Sequence, residues 1–435
     1  MTQSSPLTQR RILIFWLPLA ATWLMMSVEG PFLTAVIARL ASPAYNLAAF
    51  GVAFSFALLA ESPVIMMMSA ATALVVDRPS YLRLRTFTHA LIATVTLSLG
   101  FLLLPQVFNF VGRRLIGLPE DVAGRTWLAL LILLPWPGTI GYRRFYQGVL
   151  IRHGQTRRVA YGTIVRLFTM SAVALLLVRM TEIQGAVIGA AALSAGVTAE
   201  ALASRVMANQ AVRSLMAGAG EDTTSTLKYG EIVRFYVPLA LTAVLALGVH
   251  PLVTFFVGHG RLALESLAVI PVVNSLIFIF RSIGLAYQEV GIALMGDHGE
   301  GYYPLRRFAL TLGFAVVTGL GLIAWTPLGR IWFEAVSGLS PQLAAFALTP
   351  ARILVLVPGL AVLLSFQRAV LVHAKRTITV TAATMIEVAG IILVLSLGIF
   401  FFDAVGVVAA AIALLVGRIG ANLYLGPILR RPLHL

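Results

Sequence analysis

Four ionisable side chains stand out inside the apolar stretches of this 435-residue chain, because they come in matched positions: Glu61 with Arg281, and Arg166 with Glu387. A charge in hydrocarbon costs at least about 2.5–3.5 kcal/mol on insertion scales, so each needs a partner or a water-filled cavity. Each matched position holds opposite charges in the two halves of the chain. Two arrangements follow. Glu61 can meet Arg281 across a cleft and act as a gate, or pairs can form within halves, Glu61 with Arg166 and Arg281 with Glu387, and merely neutralise buried charge. The residue types leave both open.

Glu29 lies deep in the first apolar stretch, just before Gly30–Pro31, and the corresponding site in the second half reads Val249–His250–Pro251. Proline removes a ladder hydrogen bond, so a break is predicted at both places. A broken helix exposes backbone groups that can bind ions or substrate, and a nearby carboxylate or imidazole could take up a proton in each cycle. The plainer reading is a packing kink. Asn274, Gln288, Glu289, Gln367 and Arg368 could contact a polar substrate or act as interhelical glue. Gly185 and Gly189 make a small-residue face suited to close helix packing.

The elements that must position these residues are membrane helices. The chain is 59% apolar and 11% charged, with a mean hydropathy of +0.92, so its solvent is mostly lipid. Crossing about 30 Å of hydrocarbon takes about 20 apolar residues of helix, the form that satisfies its own backbone there. Such stretches fall near 12–38, 46–76, 86–111, 126–151, 159–178, 184–208, 232–257, 266–295, 308–332, 349–373, 378–402 and 404–428. No small-residue cleavage site follows the first, which reads as a retained span.

Lys and Arg crowd alternate connections, among them Arg10, Arg11, Arg78, Arg83, Arg85, Arg152, Arg157, Arg158, Lys375, Arg376, Arg430 and Arg431. The opposite connections hold fewer, including Arg39, Arg113, Arg114 and Arg261. That asymmetry puts both termini in the cytoplasm, with the protein in the inner cell membrane. It also accounts for the net charge of +15 without nucleic acid. Trp127, Trp136, Trp325 and Trp332 lie toward span ends, as an interfacial belt predicts. A polar stretch at 209–231, with Gly218, Gly220, Glu221, Asp222 and a Thr/Ser run, reads as a linker.

The chain repeats itself. A shift of 220 lays Phe15, Pro18, Leu19 and Ala20 on Phe235, Pro238, Leu239 and Ala240, then Pro31 on Pro251, Ser62 on Ser282 and Asp77 on Asp297. At a shift of 221, Pro137–Gly138 meets Pro358–Gly359, Phe145 meets Phe366, and Gly185 meets Gly406. Six spans per copy is an even number, so the copies share orientation. The expected fold is all-α: twelve transmembrane helices in two parallel six-helix bundles, 1–208 and 232–435, joined by 209–231 and flanking a central cleft.

No phosphate-binding Gly-Lys loop, His-Glu-x-x-His, Gly-x-Ser-x-Gly or aspartate-rich metal pair is present, so the residues suggest no enzyme, cofactor or metal centre. There are no cysteines. What remains is carriage of a small solute across lipid, driven by a gradient of H+ or Na+, by exchange, or by the solute itself. The chain is expected to work as a monomer, with a non-transporting receptor or an intramembrane enzyme as the rivals from other classes.

The parallel duplication, with proline near the start of the first and seventh spans, resembles the superfamily of multidrug and toxin extruders, oligosaccharide-lipid flippases and lipid II flippases. The second half resembles the progressive ankylosis family more closely: Phe235-Tyr-Val-Pro-Leu-Ala-Leu241, His250-Pro-Leu-Val, Phe255-Phe-Val257, Glu265-Ser-Leu-Ala-Val269, Trp325-Thr-Pro327 and Pro350-Ala-Arg352. The resemblance implies a V-shaped cleft, alternating access, and export of a pyrophosphate-, nucleotide- or citrate-like anion, which Arg281, His250 and Arg368 would suit. A proton- or sodium-coupled exporter of amphipathic cations and a flippase of a lipid-linked precursor are the alternatives within it. This chain lacks the long charged tail of the vertebrate protein, which separates the substrate question from the fold.

Overall fold

Some prolines of this chain break their spans, and others are carried inside continuous helices. The computed structural model describes residues 7–217, 227–296, 299–374 and 376–430. Of the residues singled out above, Gly218, Gly220, Glu221, Asp222, Asp297, Lys375 and Arg431 lie outside them. In the first half the helices are α1 (Gln9–Ser27), α2 (Glu29–Ala38), α3 (Pro43–Glu61), α4 (Met67–Leu74), α5 (Arg78–Leu102), α6 (Pro105–Phe108), α7 (Glu120–Ile132), α8 (Trp136–Arg152), α9 (Thr156–Met180), α10 (Gly185–Met207) and α11 (Asn209–Ala217). The second half has α12 (Tyr229–Gly258), α13 (Ala263–Ala293), α14 (Tyr302–Trp325), α15 (Leu328–Arg330), α16 (Pro341–Ile353), α17 (Val357–His373), α18 (Thr377–Ser396) and α19 (Gly406–Arg430). Among the described residues no strand forms, so the all-α expectation holds.

Among the described residues ten runs are long and apolar enough to cross a membrane, and α5 with the segment Pro105–Leu115, bent by 69°, makes an eleventh. The remaining expected span, 126–151, is divided into α7 and α8. Pro135 caps α8 and Pro137 sits in its first turn. The second-half equivalents are Leu356 and Pro358, one proline rather than two. There a 3₁₀ turn at Leu354–Leu356 bridges α16 and α17, and Pro341–His373 stays one span.

The second span breaks for the same reason. Pro63 cannot donate, so α3 stops at Glu61 and α4 begins at Met67, and the Pro63 carbonyl accepts the Tyr236 hydroxyl at 2.5 Å. Ile283 stands where Pro63 would be, and α13 runs unbroken. The first span divides at Val28, ahead of Glu29, which places Pro31 in the first turn of α2 where a missing N–H costs nothing. The break expected at His250–Pro251 does not occur: both lie inside the continuous α12.

Contacts sort the chain into two compact units, Leu40–Phe255 and the residues up to Arg39 together with those from Phe256. The sequence halves describe duplication, whereas these units describe packing. The first span packs on α13, and most of α12 falls in the unit of the first-half helices, with Ile232 and Tyr236 in a core shared with Tyr81 and Phe145. Part of the expected linker is structured, since α11 lies on α5 and α8 with Ala211 buried. Outward-facing Leu97, Phe168, Phe314 and Phe401 leave an apolar exterior, as lipid requires.

Candidate functional site

Within Leu40–Phe255, glycines let the helices approach closely enough to share buried charge. A Cβ on Gly196 of α10 would stand 3.0 Å from the Arg166 carbonyl of α9, and one on Gly162 would stand 3.3 Å from Glu200. This contact brings Glu200, fully buried, beside Arg166 at 3.8 Å. From α8, Arg143 pairs with the same carboxylate, and Gln147 donates to its other oxygen at 3.1 Å. Arg143, Arg166 and Gln147 are buried too.

Glu61, the last residue of α3, accepts a 2.6 Å hydrogen bond from the Trp136 indole, the first residue of α8. The breaks between α3 and α4 and between α7 and α8 thus meet at a carboxylate. The Arg166 guanidinium lies 5.7 Å from the Trp136 ring centroid, within cation–π range. Arg143, Arg144 and Arg166 all act on Glu61 through space. Trp136 is 2% exposed, so it does not belong to the interfacial belt expected for it. Its ring fills a core position between Phe54 and the cluster. Trp136→Phe puts a smaller phenyl ring in place of the indole and deletes the donor, and should cost about 1.5–3 kcal/mol, read as a drop in thermal unfolding temperature of the purified protein.

The other unit repeats the construction with inverted signs. Gly417 of α19 is the counterpart of Gly196, and a Cβ there would meet the Glu387 carbonyl of α18 at 2.7 Å. Glu387 pairs with Arg418 at 2.9 Å. Arg368 of α17, the counterpart of Gln147, donates to Thr384 Oγ1 at 3.1 Å. Arg281 of α13 feels both Arg418 and Glu387, lies 5.4 Å from the Phe278 ring centroid, and has a buried Nε with no acceptor.

Of the expected residues, Glu61 and Arg166 share one cluster, and Arg281, Arg368 and Glu387 share the other. The pairing is therefore satisfied within units, but through different partners: Arg166 meets Glu200 and Glu387 meets Arg418, neither of which had been singled out. Glu29 is buried in the first turn of α2, His250 is half-buried in α12, and Asn274 is half-buried in α13. Glu289 is exposed and Gln367 donates to the Asn422 carbonyl at 3.4 Å, which is interhelical glue. The missed residues Arg143, Arg144, Glu200 and Arg418 carried the same signal as Glu61: an ionisable group inside an apolar window.

No known family's sequence pattern and no curated protein matches the chain. Solved structures do. A multidrug resistance MATE transporter of the MOP superfamily, in its inward-facing conformation, aligns with a TM-score of 0.72 at 13% identity, over 94% of this chain and 98% of that one. The lipid II flippase MurJ aligns with a TM-score of 0.73 at 14% identity, over 95% and 87%. A MOP superfamily transporter from Pyrococcus furiosus, described as having a binding pocket of reverse polarity, aligns with a TM-score of 0.64 at 13% identity, over 98% and 96%. The chain is thus a multi-pass membrane protein with the fold shared by MATE transporters and the lipid II flippase.

Proposed function

We propose that the protein is a secondary transporter that exports a small organic or phosphate-containing anion by alternating access, with both termini in the cytoplasm. The surplus of buried and half-buried guanidinium carries this reading. Arg143, Arg144 and Arg166 stand against Glu61 and Glu200 in one unit, and Arg281, Arg368 and Arg418 against Glu387 in the other. Uncompensated cations in a low-dielectric region draw an anionic ligand and repel a cationic one. The transporter and flippase neighbours support carriage across the membrane, and the anionic cargo is what the resemblance of the second half to the progressive ankylosis family implies.

Uptake into proteoliposomes tests it, with labelled pyrophosphate, citrate, nucleotides and lipophilic cations, with and without a pH gradient. Anion flux is expected. Flux confined to lipophilic cations, or flip of a lipid-linked precursor alone, would overturn the anion reading. Glu61→Gln keeps an oxygen for the Trp136 indole and removes the charge, and Arg281→Ala removes a guanidinium that makes no ion pair among the described residues. Each is expected to lower the flux by tenfold or more at an unchanged elution profile. Unchanged flux in both would remove these residues from the mechanism.

A further inference from the structure

Among the described residues, Arg144 is the arginine of its cluster with no oxygen in hydrogen-bond reach, and Glu200 and Glu61 act on it only through space. Arg143 and Arg166 pair with Glu200, whereas the Arg144 guanidinium makes no ion pair among the described residues, and its buried Nε has no acceptor. Its one hydrogen-bond partner among the described residues is the Met68 sulfur, at 3.7 Å from Nη1. A thioether is a weak acceptor, so it leaves a desolvated cation largely unsatisfied.

Met68 is the second residue of α4, which places this guanidinium at the start of that helix. The helix begins anew after the Pro63 break, and its N-cap, Met66, offers no capping side chain. Met67 N–H bonds back to the Val64 carbonyl and Ala70 N–H to that of Met66, while Met68 and Ser69 hold the first-turn positions whose amides have no intrahelical acceptor. Ser69 is exposed, so the place is open to a ligand. A helix start with free amides and a guanidinium beside it is suited to an oxyanion.

We propose that Arg144 and the Met68 and Ser69 amides form a binding site for a phosphoryl or carboxylate group, and that this group belongs to the cargo. The site resembles no pairing in the other unit: Ser365 stands where Arg144 would be, and α13 has no break to free the amides. It therefore makes the two units unequal, with oxyanion capture assigned to Leu40–Phe255. The assignment to cargo rests on the anion-transporter reading above, but the site itself does not.

The test uses the purified full-length protein, with pyrophosphate and citrate as probes, each measured by calorimetric titration and by uptake into proteoliposomes. Arg144→Gln removes the charge. Met68→Glu leaves Arg144 in place and gives it a tethered carboxylate that fills the site. Both variants are expected to weaken binding of the preferred probe by tenfold or more and raise the transport KM, and Met68→Glu should keep or raise the unfolding temperature. Preference between the probes distinguishes a phosphoryl from a carboxylate ligand.

Wild-type binding that both variants retain would overturn the site and leave the transporter reading standing. Binding lost in both variants, in a wild type that moves no anion, would keep the site and overturn its assignment to cargo. A wild type that binds neither probe would overturn the site as well.

Discussion

Glu200→Ala is expected to be the most damaging single substitution in the protein, costing about 3–5 kcal/mol because it strands buried cations without their counter-charge. Glu200 is fully buried and serves three groups at once: Arg143 and Gln147 from α8, and Arg166 from α9. No solvent is at hand to replace it. Glu200→Gln retains an acceptor for the neighbours and should lose less. Glu387→Ala breaks the equivalent pair in the other unit, but the side chains of Glu387 and Arg418 are 12% and 17% exposed, so water partly compensates. The expected order of unfolding temperatures after solubilisation is wild type, then Glu387→Ala, then Glu200→Ala, the last with a broadened elution profile. Equal losses for the two alanine variants would show that burial does not set the cost.

Gly148→Val should be nearly as disruptive, through shape rather than charge. A Cβ at Gly148 would stand 2.5 Å from the Met68 carbonyl oxygen and 2.6 Å from the Ala71 Cβ. The first of these is backbone and cannot rotate away, so α4 and α8 must separate. Overpacking of this kind costs about 1–3 kcal/mol for added methyl groups, and valine adds more than alanine. Separation also carries Met68 away from Arg144, so anion binding should weaken together with stability. Gly124 is the control, because a Cβ there meets nothing within 4 Å. Gly124→Ala in the exposed part of α7 should be neutral or stabilising by up to about 1 kcal/mol, since alanine favours helix. A Gly148→Val protein with wild-type unfolding temperature and anion affinity would refute the close α4–α8 contact.

The prolines show how local chemistry could be read from the chain and where it could not. Pro63 and the Pro135–Pro137 pair break their spans, and their replacement by Ile283 and by Leu356 leaves the matching spans whole. Pro251 obeys no such rule, because α12 absorbs it without a break. At Pro63 the chain around the break is held by other donors: the Leu59 carbonyl takes the Ser62 N–H, and the Pro63 carbonyl takes the Tyr236 hydroxyl.

The charged residues divide in the same manner. Hydropathy and a 220-residue repeat were enough to establish a helical membrane protein and to mark Glu61, Arg166, Arg281 and Glu387 as buried charges, because insertion energetics depend on composition along one span. Partner choice depends on which helix faces approach, and this is governed by contacts remote in sequence. Gly196 and Gly417 set the fifth and sixth spans of each half face to face, and the rotation of α10 and α19 then brings in Glu200 and Arg418. Trp136 appeared to belong at the membrane surface, yet a break in the neighbouring span drew it inward to Glu61. One-dimensional pattern was sufficient for what a helix is made of, while packing in three dimensions was needed to establish what each buried charge touches.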